Sequence, residues 1–294
     1  MKQVLSFGAG VQSTALLLMS CKGLLPKLDA AIFADVGWEP QKVYDHLEWC
    51  KIEAKKHGIP IHVVRGTEDG MRLDVLNNIT REDGGRAPVL PYFTATIEGK
   101  REGISNRHCT VDYKIVPLQN FIKREIMQFK PHARLPKQPV VQQWIGISFD
   151  EATRAKPHRE NWCEHVFPFL NWGLDSPTGK PWRRYQIINW LEKNYPEIEV
   201  PRSACIGCPF HSNSEWRKIK ENPKEWQEAI DFDRSIRVDK RKLVRKDGTP
   251  YSIMKQKQYL HKSCIPLEDV DLRSVEEMGQ GSLWDNECEG MCGM

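Results

Sequence analysis

A strand that runs without interruption into a glycine turn and then into a helix constrains this chain more than any other feature. Lys2 to Phe7 (KQVLSF) is short and mostly apolar, Gly8-Ala9-Gly10 punctuates it, and residues 12–19 (QSTALLLM) read as a buried helix. The unit then repeats. Residues 29–34 (DAAIFA) give a second strand, residues 41–57 a helix with Tyr44, Leu47 and Ile52 at helical spacing, and residues 61–65 (IHVVR) a third strand. Such a β-α-β-α-β rhythm calls for a parallel sheet with right-handed crossovers. Residues 140–148 (VVQQWIGIS) are a later strand of the same kind. The expected fold is α/β, a Rossmann-like doubly wound parallel sheet with a helical, cysteine-bearing C-terminal part.

With 294 residues, 40% of them hydrophobic, the chain can bury a core for one large domain and a smaller appendage. The boundary is expected near residue 180, dividing a sheet domain (1–180) from a C-terminal region (181–294). Residues 67–106 are polar and glycine-rich and read as a long active-site loop or lid. Beyond Pro181, residues 182–197 and 214–237 carry apolar positions every three or four residues, as helices do, and an irregular tail ends in NECEGMCGM. No run of about 18 apolar residues is present. The N-terminus lacks the build of a signal peptide, so the expected location is the cytoplasm, with no membrane partner. A net charge of +4 permits a nucleic-acid partner without requiring one. In a reducing compartment, nine cysteines point to thiolate chemistry or metal ligation and away from a disulfide framework.

Two features carry chemistry. The first is Ser6 to Thr14: a small-residue turn between a strand and a helix leaves backbone N–H groups and the helix dipole free to attract phosphate. A Walker ending and a G-x-G-x-x-G fingerprint are both absent. The second is Cys205-Ile206-Gly207-Cys208, whose spacing lets a turn point two thiolates at one metal or cluster.

Five segments, in order over roughly residues 1–210, resemble the PP-loop superfamily in its phosphoadenosine-phosphosulfate (PAPS) reductase branch. The first loop resembles the pattern SFSGGKDST through Ser6, Phe7, Gly10, Ser13 and Thr14. FADVGWEPQKVY (33–44) is similar to F-x-D-T-G-x-E-x-x-x-x-Y through Phe33, Asp35, Gly37, Glu39 and Tyr44. RHCTVDYKIVPL (107–118) resembles R-x-C-x-x-x-x-K-x-x-P-L, GISFDEATR keeps Gly146, Glu151 and Arg154 of a fourth segment, and FPFLNW (167–172) resembles a P-L-x-x-W element. The resemblance implies ATP or another adenylyl nucleotide with its phosphates on Ser6, Phe7, Gly8, Ala9, Gly10, Gln12, Ser13 and Thr14. Adenine and ribose would lie near Phe33 and Asp35, with Gly146, Glu151 and Arg154 completing the site. Lys114 and Arg107, inside a matched segment, would hold an anionic group and serve the reaction.

The departures are specific. Gly8 and Ala9 replace a serine and a glycine, Val11 replaces the lysine, and Gln12 replaces the aspartate. A glutamine supplies no carboxylate to the Mg²⁺ that accompanies ATP cleavage. Ser148 stands where the family often has arginine.

The resemblance adds Cys109 to Cys205 and Cys208 as ligands of a [4Fe–4S] cluster. The fourth ligand is open among His108, Cys288 and Cys292, or an iron is left free for sulfide. A zinc site built from Cys205, Cys208 and the tail cysteines is the alternative. Cys288, in a tail resembling the E-C-G end of sulfonucleotide reductases, is a candidate nucleophile as well as a metal ligand. Cys21 and Cys50 read as core thiols. Residues 234–245 hold six Arg/Lys, either a solvated helix face or a phosphate-contacting stripe.

The function implied is nucleotide-dependent sulfur transfer to a nucleic acid, tRNA or DNA, with sulfur from a donor protein or sulfide. The alternatives are a sulfonucleotide reductase using Cys288, and a zinc-stabilised nucleotide-binding module without catalysis.

Overall fold

The structure, a computed structural model, describes residues 1–80, 90–96, 98–237 and 257–273. Strand β1 (Lys2–Phe7), helix α1 (Val11–Cys21), strand β2 (Ala30–Asp35), helix α2 (Gln41–Lys56) and strand β3 (Ile61–Arg65) follow the predicted rhythm closely. Helix α3 (Gly70–Thr80) and the short strands β4 (Phe93–Ala95) and β5 (Arg101–Ile104) come next. Helix α4 (Val116–Phe121) is flanked by π-helical turns at Val111–Ile115 and Ile122–Ile126. Strands β6 (Val141–Trp144) and β7 (Cys163–Val166) precede helices α5 (Arg184–Asn194), α6 (Asn213–Lys220) and α7 (Pro223–Arg237), and then strand β8 (Lys257–Tyr259).

Among the described residues, five strands form an all-parallel sheet in the order β3-β2-β1-β6-β7. Side chains alternate between its faces. Leu5, Phe7, Ala31, Phe33, Trp144 and Val166 face one way and pack with α1, α2 and α5. Val4, Ile32, Ala34, Val64, Val141 and Cys163 face the other way, against Leu118, Ile122 and Trp162. The α/β, Rossmann-like reading therefore stands. The chain runs outward from β1 through β2 to β3 and then returns to β6 on the other side of β1, so the crevice at that switch point opens at the carboxyl ends of the strands.

Three expectations need correction. Residues 67–106 are not one long loop: they contain α3, β4 and β5, and β4 pairs with both β5 and β8 in an antiparallel sheet. Strands of three or four residues are too short to show a period, and Met71 and Val75 of α3 are core residues set among polar neighbours. The strand expected over 140–148 pairs only from Val141 to Trp144; beyond it the chain runs past α1, where a Cβ on Gly146 would come within 3.0 Å of Ser13 N. Ile52 is 64% exposed, and the buried face of α2 is Val43, His46, Leu47, Cys50 and Ala54.

The C-terminal part packs in two ways. Trp182, Ile187, Leu191 and Tyr195 share the core of α1 and the sheet. Helices α6 and α7 join a second core with Val36, Trp38, Met71, Trp216, Phe232 and Leu260. Asp233, fully buried on α7, staples the chain beyond it by accepting from Leu260 N at 2.9 Å and Leu267 N at 3.0 Å while pairing with Arg237. No helix among the described residues is long and apolar enough to cross a membrane.

Candidate functional site

The β1–α1 loop is tightly held. Gly10 is the extended N-cap of α1 and lacks a side-chain cap; Ser13 Oγ instead accepts from Gly8 N and donates to Gly10 O, both at 3.2 Å. The amides of Ala9, Gly10, Val11, Gln12 and Ser13 meet no acceptor among the described residues. That is the unsatisfied donor set of a helix start, joined by the positive end of its dipole. Ala9 sits in the left-handed region at φ 56°, where a Cβ costs roughly 1–2 kcal/mol. Of residues 6–14 only Gly8 is partly exposed.

The other matched residues divide by what they touch. Gln12 Nε2 donates to Ser148 Oγ at 2.9 Å and to Glu151 Oε2 at 3.0 Å, and Glu151 also pairs with Arg154. Thr14 turns its hydroxyl inward, 3.0 Å from His46 Nε2. Burial holds His46 neutral, its pKa lowered to about 4. Asp35 is fully engaged: Gly37 N and Tyr44 OH donate to Oδ1 at 2.8 Å, and Arg65 Nε donates to Oδ2 at 2.8 Å. Phe33 is a core residue. Gln143, unremarked in the sequence reading, donates to Ser6 Oγ at 2.7 Å and accepts from Gln119 Nε2 at 2.7 Å. Two glutamines inside an apolar strand (VVQQW) are the signal that marks it.

Cys109, Cys205 and Cys208 come together. Each lies close enough to feel the others' charge, with Arg107 and Lys114 beside Cys109 and with Glu39 beside Cys205. The turn carrying the CxxC is fixed from several sides. Cys208 N donates to Cys205 O at 3.0 Å, Ile206 N to Trp38 O at 2.9 Å, and His211 Nε2 to Cys205 O at 2.9 Å. Gly207 lies flush on the Trp38 indole. Cys205 and Cys208 hydrogen-bond to one another; this bond holds the Cys208 thiol below its usual range and Cys205 well above, so Cys208 ionises first. Burial raises Cys109, with Arg107 opposing. Arg107 donates to Thr110 Oγ1 at 2.6 Å.

Lys114 Nζ stands 3.3 Å from Oε1 of Glu39, whose side chain is 1% exposed. Burial works against the Lys114 charge, but Glu39, Cys205 and Cys109 outweigh it and raise its pKa. The second Glu39 oxygen, Oε2, is buried and has no hydrogen-bond partner among the described residues. Glu39 was legible only as a matched motif position, and His211 and Trp38 were missed, because their roles depend on contacts remote in sequence.

A cavity of about 30 Å³, lined by Ser6, Phe7, Gly8, Phe33, Lys114 and Gln143, links the loop to the Lys114–Glu39 pair. It has room for about one water. A larger groove of about 950 Å³ runs between α2 and α6, touching Val11, Trp49, Arg202 and His211. Among the described residues no group of three or more His, Cys, Asp or Glu is arranged to hold a metal ion. Cys288 and Cys292 lie outside the described residues, as do residues 238–245 of the basic stretch. Cys21 is half-buried and Cys50, Cys163 and Cys264 are buried. Compared with protein-family models the chain matches none, and no curated protein matches it either. Fold and site thus define an α/β protein whose glycine loop and three converging cysteines share one edge of a parallel sheet.

Proposed function

We propose that the chain is an adenylyl-nucleotide-dependent sulfurtransferase of the PP-loop type, acting on a nucleic acid. The observation that carries this reading is the meeting of Cys109, Cys205 and Cys208 beside Lys114, at the same sheet edge as the unsatisfied amides of the β1–α1 loop. Those amides suit the phosphates, and Lys114, held by Glu39, suits a second anionic group.

The donor set fits an iron–sulfur cluster in kind: three soft thiols, one of which ionises readily, with arginine and lysine nearby to offset negative charge. The ligands of a four-iron cluster stand around a cube and do not converge on one point, so the absence of a single-ion group among the described residues is compatible with that fit. Bound by Cys109, Cys205 and Cys208, such a cluster supplies a thiophilic position for sulfide. The protein's own residues bind the phosphates, orient the anionic group through Lys114, and partly screen the half-buried cysteines from water. Gln12 supplies no carboxylate, so Mg²⁺ would be held by the nucleotide's own oxygens.

Anaerobic purification with iron, sulfide and zinc determination tests the proposal. Iron and sulfide in equal amounts, reduced in Cys109→Ser, Cys205→Ser and Cys208→Ser, are expected. Incubation with ATP and candidate RNA or DNA should release pyrophosphate or AMP. A colourless, zinc-loaded protein overturns the cluster, and sulfite release from an added sulfonucleotide, abolished by Cys288→Ser, replaces the transferase with a reductase.

A further inference from the structure

The segment before the CxxC lies across the glycine loop. A Cβ on Gly8 would sit 3.2 Å from Ser203 Oγ and 3.9 Å from Ser13 Oγ, and a Cβ on Gly10 would sit 3.2 Å from Ser203 Cβ. Glycine at position 8 therefore leaves a notch, flanked by two hydroxyls, that any side chain would fill. Ser203 is 7% exposed, and its hydroxyl makes no hydrogen bond among the described residues. The oxygen is not sealed from solvent, so it is open as a donor to a group that reaches the loop. Beside it stand the unmet amides of Ala9 to Ser13, donors that call for an anion. Ser203 thus packs against both glycines of the loop that carries these amides.

We propose that Ser203 is a phosphate-binding residue: a tetrahedral phosphate of the nucleotide lies against Gly8, the partly exposed residue of the loop, held by the Ala9–Ser13 amides and Ser203 Oγ. The proposal rests on the nucleotide reading and deepens it. The loop itself lacks a serine at position 8, where the pattern it resembles has one. Ser203, from the C-terminal part, brings a hydroxyl to within 3.2 Å of that side chain's first carbon position. Phosphate recognition is thereby shared between β1–α1 and a residue two positions before Cys205.

The test is binding by the full chain of three probes, ATP, inorganic pyrophosphate and adenosine, measured by titration calorimetry. Ser203→Ala is expected to weaken ATP and pyrophosphate about tenfold, the scale of one hydrogen bond to a charged group, while leaving adenosine unchanged. Ser203→Thr should keep wild-type affinity for both phosphate probes. Gly8→Ala, which fills the notch with Ser203 intact, should weaken the same two probes. Wild-type ATP and pyrophosphate affinities in Ser203→Ala overturn the proposal and leave the nucleotide reading standing. Pyrophosphate binding that depends on Ser203, without ATP binding, keeps the phosphate site and overturns the nucleotide. A wild-type chain that binds neither overturns both.

Discussion

The side-chain amide of Gln12 donates to Ser148 Oγ at 2.9 Å, so two positions where the sequence departs from the pattern it resembles meet in space. An aspartate and an arginine there would form a charged pair; here a neutral amide and a hydroxyl take that place. The same amide nitrogen also reaches Glu151 Oε2 at 3.0 Å, which makes it the donor of a small network ending at Arg154. Gln12→Asp replaces that donor with a second carboxylate facing Glu151. Two hydrogen bonds are lost and like charges approach, so unfolding free energy should fall by roughly 2 kcal/mol or more at pH 7. The paired carboxyls would hold a proton more tightly than in the unfolded chain, so the deficit should shrink as pH falls through the raised pKa. Chemical denaturation at pH 7 and pH 4.5 checks this; an equal deficit at both contradicts the charge argument.

Acid should destabilise the fold through its buried histidines. Burial lowers His46 and His165 to about 4, against roughly 6.5 for an unfolded histidine. Below pH 6.5 the unfolded chain binds protons that the folded one refuses, so stability is complete above that pH and is lost as pH falls toward 4. Each group contributes a slope of at most about 1.4 kcal/mol per pH unit within that window. His46→Gln, which keeps a polar partner near Thr14, should remove one group's share. Urea unfolding between pH 7 and pH 4 reads the slope, and an unchanged slope in the variant would show that His46 does not titrate as argued.

Lys114 and Glu39 should be strongly coupled. Glu39 is 1% exposed at its side chain and Lys114 is 18% exposed, so the carboxylate depends on the ammonium more than the reverse. Lys114→Met leaves a buried charge without its partner, a loss of about 3–5 kcal/mol. Glu39→Gln should cost less, because Lys114 retains some solvent. The double variant should be more stable than Lys114→Met alone. Strictly additive losses in a double-mutant cycle would deny the pairing.

The sheet was legible because β1, β2 and β3 are apolar runs punctuated by Gly8, Pro40 and Pro60, signals that arise within a few residues. Cys109, Cys205 and Cys208 were named from spacing and resemblance, and they lie within reach of one another's charge. What stayed hidden depends on distant contacts. The antiparallel sheet joins Phe93 to Tyr259, strands of three residues separated by more than half of the chain. Ser203 shows no pattern of its own; only packing against Gly8 and Gly10 marks it. Phe33, Asp35 and Thr14 occupy matched positions, yet their side chains are consumed by the core, by Arg65 and Tyr44, and by His46. A motif fixes residue type at a place in the chain, while the neighbours decide which atoms remain free.

The middle of the CxxC depends on one missing methyl group. A Cβ on Gly207 would lie 2.0 Å from Trp38 Cη2 and 2.3 Å from Cζ3, so alanine there must push the turn off the indole or tilt a ring packed 4.6 Å from Phe232. Overpacking of this kind costs about 1–3 kcal/mol. The turn is also tied to that tryptophan by Ile206 N and Trp38 O, so displacing one moves the other, and Cys205 and Cys208 with it. Gly207→Ala should therefore lower stability and, on the proposed function, reduce iron and sulfide content by more than its stability loss explains. Trp38→Phe, which narrows the ring, should relieve the clash. Alanine at 207 ought to cost less in the Trp38→Phe background than in the wild type, as measured by chemical denaturation in a double-mutant cycle. An equal cost in both backgrounds would mean that the indole is not what excludes a side chain at position 207.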